Sequence, residues 1–274
     1  MDRIYLLYSF YHCPVADLQS HNAQKGSVIM LRRCIQAEQI KVRHSLIFLA
    51  FLIIPIIPAI MGTFNYLQNT DVLSEGWYSL WTQITLFYAN FFYAPLIAIY
   101  CSYLWRLEHR HNNWNHFMAM PVSATASYGG KLAVIIEMTL FTQVWISALF
   151  FLCGKLIGLP GIFSARILLW VLRGTLAAIT IATLQLFLSM VIRNFAIPVG
   201  IALLGSIAAV LVTNAGGALF WPYSLMIIGM NSNKTEDIIQ SFSVALPFFC
   251  SLFFFMGLFF LFSVFYLKKT DVRT

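Results

Sequence analysis

From Trp105 to Lys131 the chain reads WRLEHRHNNWNHFMAMPVSATASYGGK. This polar stretch lies between two apolar runs, Tyr78–Trp105 before it and Lys131–Leu156 after it. A helix needs about 20 apolar residues to cross a hydrocarbon core of about 30 Å, and both runs suffice. Working outward gives six such spans: His44–Tyr66, Tyr78–Trp105, Lys131–Leu156, Ser164–Ile192, Phe195–Thr213 and Ile239–Leu267. The longer ones have room to tilt. The runs are unbroken and do not alternate at every second residue, which favours helices over a β-barrel. The fold expected is an all-α integral membrane protein with six transmembrane helices.

Composition supports this. The chain of 274 residues is 60% hydrophobic and 10% charged, against about 25% charged in soluble domains. The first partner implied is therefore a lipid bilayer. The net charge of +7 does not point to nucleic acid, because the basic residues bracket the apolar runs and form no common face. Five scattered cysteines without a Cys-x-x-Cys pair read as small hydrophobic residues, with no disulfide framework or metal site.

The charges also set the orientation. Arg3, Lys25, Arg32, Arg33, Lys41, Arg43, Arg106, Arg110, Lys131, Arg193, Lys268, Lys269 and Arg273 fall on one side of the spans. Only Lys155, Arg166 and Lys234 fall on the other, and Arg173 lies inside a span. By the positive-inside rule both termini and the Arg106–Lys131 loop are expected in the cytoplasm. The loop Leu67–Trp77 holds Asp71 and Glu75 and no cation, as suits the outer side.

Residues 1–29 are weakly patterned and read as an extension, with Met30 an alternative start. From Met30 to His44, apolar and basic residues alternate at helical spacing. An amphipathic helix in the headgroup plane is expected there, ahead of span one. Leu219–Gly229 is apolar but only about 11 residues long, too short to span, so a re-entrant or interfacial segment is expected before span six. Pro222 supports a break within it.

The loop carries Glu108, His109, Arg110, His111, Trp114 and His116. His109 and His111 are two residues apart, a poor spacing for helical metal ligands, so no metal is expected. A short helix ending near Pro121 is expected instead, since a proline disfavours helix at the residue before it. Gly129-Gly130 is expected to form a sharp turn into span three.

Two stretches carry a family resemblance. MPVSATASYGGK (Met120–Lys131), leading into span three, resembles the permease subunits of ABC type-2 exporters. AEQIKVRHS and IIPAIMGTFNY near the start resemble the six-span permeases of lantibiotic- and bacitracin-immunity transporters. The resemblance runs from Met30 to the C-terminus and makes residues 30–274 one permease domain. It implies a coupling helix at about Glu108–Met120, docked in a cleft of an ABC ATPase subunit. Glu108, Trp114, Phe117, Met118 and Met120 would make that contact. Aromatic and methionine side chains are common at interface cores.

The resemblance further implies two ATPase copies carrying ATP–Mg and a second permease, identical or related. It implies an amphipathic peptide cargo expelled for immunity or antibiotic resistance, and a bacterial plasma membrane. Span five would help form the seam between permeases, with Gly205 and Ala209 as its small-xxx-small pair.

Two charges lie within the spans, Glu137 and Arg173. An arginine at mid-membrane costs about 2.5–3.5 kcal/mol on insertion scales and should face protein or water. Spans three and four are joined by a short loop, so Arg173 and Glu137 are expected to pair or to line a polar path. Gln83, Asn90, Gln143, Gln185 and Asn214 are expected to join helices. No Gly-x4-Gly-Lys-Ser/Thr occurs, so ATP hydrolysis would fall to a partner. No catalytic residue stands out: there is no Gly-x-Ser-x-Gly and no His-Glu-x-x-His. The alternatives are an intramembrane enzyme, or a channel or structural protein independent of ATP.

Overall fold

A computed structural model describes residues 21–43, 45–110, 113–234 and 236–270. The first twenty residues of the expected extension lie outside these. The helices are α1 (His21–Arg43), α2 (Ile47–Ile53), α3 (Ile56–Gln68), α4 (Trp77–Phe87), α5 (Tyr93–His109), α6 (Asn113–Ala119), α7 (Ala124–Leu156), α8 (Ala165–Val191), α9 (Ala196–Asn214), α10 (Ser224–Gly229) and α11 (Phe242–Lys269). No strand occurs among the described residues. Among the described residues six membrane-length spans form: α2–α3, α4–α5 with the turn between them, α7, α8, α9 and α11. The chain is an all-α protein with six candidate transmembrane helices, as expected.

The prolines explain the breaks. Pro55 sits between α2 and α3 and has no N–H to continue the ladder. Pro95 cannot donate to the carbonyl four residues back, and a widened π turn, Tyr88–Phe92, precedes it. Gly62 lets spans one and two meet, since a Cβ there would lie 2.4 Å from the Ile84 Cα. Asn65 Nδ2 donates to Gln83 Oε1 at 2.6 Å across the same seam.

Span two and α7 are each 33 residues long, about 50 Å at 1.5 Å per residue, well beyond the hydrocarbon core. At the basic end both continue past the expected boundaries, span two to His109 and α7 back to Ala124. The Gly129-Gly130 turn is thus corrected: both glycines are helical, and Ser123 Oγ caps α7 by accepting from Ala126 N at 3.2 Å. The pair serves packing instead. α1 lies along α7, and a Cβ on Gly130 would stand 2.7 Å from the Cys34 Cβ.

The Leu219–Gly229 segment forms a single 3-10 turn and α10. All six residues of α10 are buried, against α8 and α9. A Cβ on Gly229 would meet the Arg173 carbonyl oxygen at 3.0 Å. Trp81 Nε1, in span two, donates to the Met230 carbonyl at 2.8 Å. The segment is held inside the bundle by α8, α9 and span two.

Candidate functional site

At the basic end, four charges from three helices meet. Lys41 Nζ, on α1, lies 2.7 Å from both Glu38 Oε1 and Glu108 Oε1. Lys131 Nζ, on α7, lies 2.9 Å from Glu38 Oε1 and 2.8 Å from Glu108 Oε1. Each cation thus touches both anions and each anion both cations. Glu38, Glu108 and Lys131 are buried. Alternating the signs lets each charge be compensated where water is scarce, the condition under which buried ions are tolerated.

The tetrad sits directly over an aromatic cluster. Lys131 Nζ is 4.9 Å from the centroid of Trp105 and 5.5 Å from that of Phe117, within cation–π range. Trp105 and Phe117 meet edge-on at 5.8 Å. His109 stacks on Trp114 at 5.3 Å, and Trp114 reaches Phe117 at 6.1 Å. Asn113 Nδ2 donates to the Leu107 carbonyl at 3.0 Å, closing the start of α6 onto the end of α5. The short helix α6 is therefore fixed to span two by its own side chains. Through Lys131 that mount continues into α7 and α1.

The residues expected to make the ATPase contact do not share one face. Trp114 and Phe117 are 5% and 8% exposed, buried against this chain, because their i,i+3 spacing puts both on the face toward Trp105. Glu108 belongs to α5 and to the tetrad, and does not flank an open surface. Met118 and Met120 are half-buried, while His116 and Ala119 point outward. His111 lies outside the described residues. Sequence reading missed Glu38 and Lys41. Their i,i+3 spacing was a signal, but nothing local tied them to residues 108 and 131.

The expected Arg173–Glu137 pair is also corrected. Arg173 Nη1 donates to Asp237 Oδ1 at 2.9 Å and Oδ2 at 3.2 Å, and Nη2 donates to the Ile239 carbonyl at 3.0 Å. The guanidinium reaches toward the loop before span six, the nearer polar surface. Glu137 instead accepts from Gln39 Nε2 at 2.8 Å.

The pair Gly205 and Ala209 faces this chain's own residues. A Cβ on Gly205 would lie 2.5 Å from the Tyr223 ring. Trp221 Nε1 donates to the Gly205 carbonyl at 2.9 Å, and Ser224 Oγ to the Ala209 carbonyl at 3.2 Å. That small-residue face receives the Trp221–Ser224 stretch of the same chain.

Comparison with known proteins adds the family. Residues 34–209 match the family model described as ABC-2 family transporter protein. No curated protein and no solved structure matches the chain. The match begins in α1, ends in span five and includes all four residues of the tetrad. Covering well over half of a chain with six membrane-length helices, it shows that this multi-pass membrane protein belongs to the ABC-2 transporter family.

Proposed function

We propose that the chain is the permease subunit of an ATP-driven exporter, paired with a second permease and served by two ABC ATPase subunits that carry ATP–Mg. The observation that carries this reading is α6: a short helix at the basic end, fixed inward by Trp114 and Phe117 and exposed on its other face at Ala119. The positive-inside rule puts this end, with both termini, in the cytoplasm, where an ATPase would dock.

Closure of the ATPases around ATP would displace α6. Because Phe117 packs on Trp105 beneath Lys131, the displacement would pass to span two, span three and α1 together. Packed elements of this kind shift between discrete arrangements, as an inward-to-outward transition requires. The second permease would meet span five on the face of Leu204 and Leu211, which are 68% and 70% exposed. The cargo class is an amphipathic peptide of the lantibiotic or bacitracin kind, expelled across a bacterial plasma membrane for immunity. The quoted stretches AEQIKVRHS and IIPAIMGTFNY support that class.

The test is pull-down of the tagged full-length chain from native membranes, with mass spectrometry for a P-loop-containing subunit. The wild type should retain it. A119R should lose it while preserving thermal stability, since Ala119 is exposed on α6. Full retention by that variant would refute the assignment of α6.

A further inference from the structure

A cleft of about 840 Å³ opens between α1, α2 and α7, to one side of the tetrad and outside the α6 mount. Gln39 and Arg43 line it from α1, one helical turn apart, which sets their Cβ atoms about 6 Å from each other. Gln39 holds the Glu137 carboxylate at 2.8 Å on the opposite wall. Arg43 and Glu137 make no ion pair with each other among the described residues. The cleft therefore presents one held anion, Glu137, and two cations, Arg33 and Arg43, on the facing helix α1.

Its remaining wall is aromatic. Phe48 and Phe141 line it and are 52% and 56% exposed, while Phe51 is buried at its floor. Glu137 lies six residues beyond Lys131, about 9 Å along α7 at 1.5 Å per residue. Arg43 is the last residue of α1, just before the first span. Arg43 thus sits at the headgroup level, Glu137 about 9 Å inside the boundary set by Lys131, and Phe48 and Phe141 on the side of the acyl chains.

We propose that this cleft binds a bilayer phospholipid whose head carries both a phosphate and a free primary amine, of the phosphatidylethanolamine type. The phosphate pairs with Arg43, whose guanidinium matches phosphate oxygens in a two-pronged geometry. The ammonium donates to Glu137, and the acyl chains run over Phe48 and Phe141. The Glu137 carboxylate selects this head over the alternatives, while the arginines serve the phosphate that all of them share. A phosphatidylglycerol head sets no cation against Glu137. A choline head has a cation with no N–H to donate. The proposal holds whatever the cargo of the transporter is.

The full-length chain, purified in detergent, would be incubated separately with phosphatidylethanolamine, phosphatidylglycerol and phosphatidylcholine, and the retained lipid counted by native mass spectrometry. The wild type should retain phosphatidylethanolamine about tenfold better than either other lipid, the scale of one charge-assisted hydrogen bond. E137Q should lose the preference over phosphatidylcholine, and R43Q should weaken retention of all three. Equal retention of the three lipids by the wild type, or preference for phosphatidylglycerol, would overturn the proposal without reference to any variant. So would an E137Q protein that keeps the full preference.

Discussion

Lys131 and Glu108 are 2.8 Å apart, and the lysine side chain has no exposed surface at all. One residue begins the membrane part of span three and the other ends span two, so the contact locks two transmembrane helices at the level where α6 is attached. A lone buried charge would be costly there. The second carboxylate, Glu38, and the second ammonium, Lys41, make the arrangement electrically balanced.

Removing one member of the tetrad should therefore cost more than removing an oppositely charged pair. K131M leaves two buried carboxylates sharing Lys41, and a broken buried pair typically costs about 3–5 kcal/mol. The double variant K131M/E108Q restores neutrality and should recover part of that loss. The check is the unfolding midpoint of the purified protein for both singles and the double. Strictly additive losses would show that the two residues are not coupled.

Arg173 and Glu137, the two charges within the spans, answer to different partners. D237N should destabilise the protein by about 2 kcal/mol, the scale of hydrogen bonds to a charged group, because Arg173 donates twice to that carboxylate. E137Q should leave the Arg173 site intact. Comparing the unfolding midpoints of D237N and E137Q tests this. An equal loss in both would revive a direct link between Arg173 and Glu137.

Two glycines on span five separate packing within the chain from packing between chains. A Cβ at Gly205 would strike Tyr223 at 2.5 Å, whereas one at Gly200 meets nothing within 4 Å. G205V should lower thermal stability strongly and G200V little, with oligomeric state unchanged in G205V at temperatures below unfolding. Dissociation of a stable permease pair by G205V would assign this face to the interface instead.

Cys34 is pressed between α1 and Gly130, and burial first, then the Glu38 carboxylate, pushes its thiol from 9.0 up to about 11. The folded state thus holds the thiol proton more tightly, and between pH 9 and 11 that preference weakens stability as the solution becomes more alkaline. At neutral pH the thiolate fraction falls about 100-fold, and the thiolate is the reactive form. With the other cysteines replaced, Cys34 should react with a maleimide far more slowly than a cysteine placed at Ala119. Equal rates would mean that α1 does not rest on α7 as described.

The six spans were legible because a bilayer leaves the backbone few choices. Their ends were less so. Arg106–His109 and Ala124–Gly130 are helical beyond the expected ends of the spans, where hydropathy carries no signal. In α6 the apolar residues looked like anchors for a partner. A seat on the chain itself needs the same residue types at the same spacing, and only the position of Trp105 decides between the two. Gly205 and Ala209 announced a close approach without naming its partner, which proved to be the Trp221–Ser224 stretch. The tetrad was hidden because it joins residues 93 positions apart.

The most direct test of α6 as the coupling helix is site-specific crosslinking in native membranes. A cysteine at Ala119, treated with a short bifunctional maleimide, should yield one adduct containing this chain and a P-loop subunit. A cysteine at Leu204, facing outward on span five, should yield none with that subunit. An ATPase adduct absent from Ala119→Cys, or equally strong from Leu204→Cys, would contradict the account.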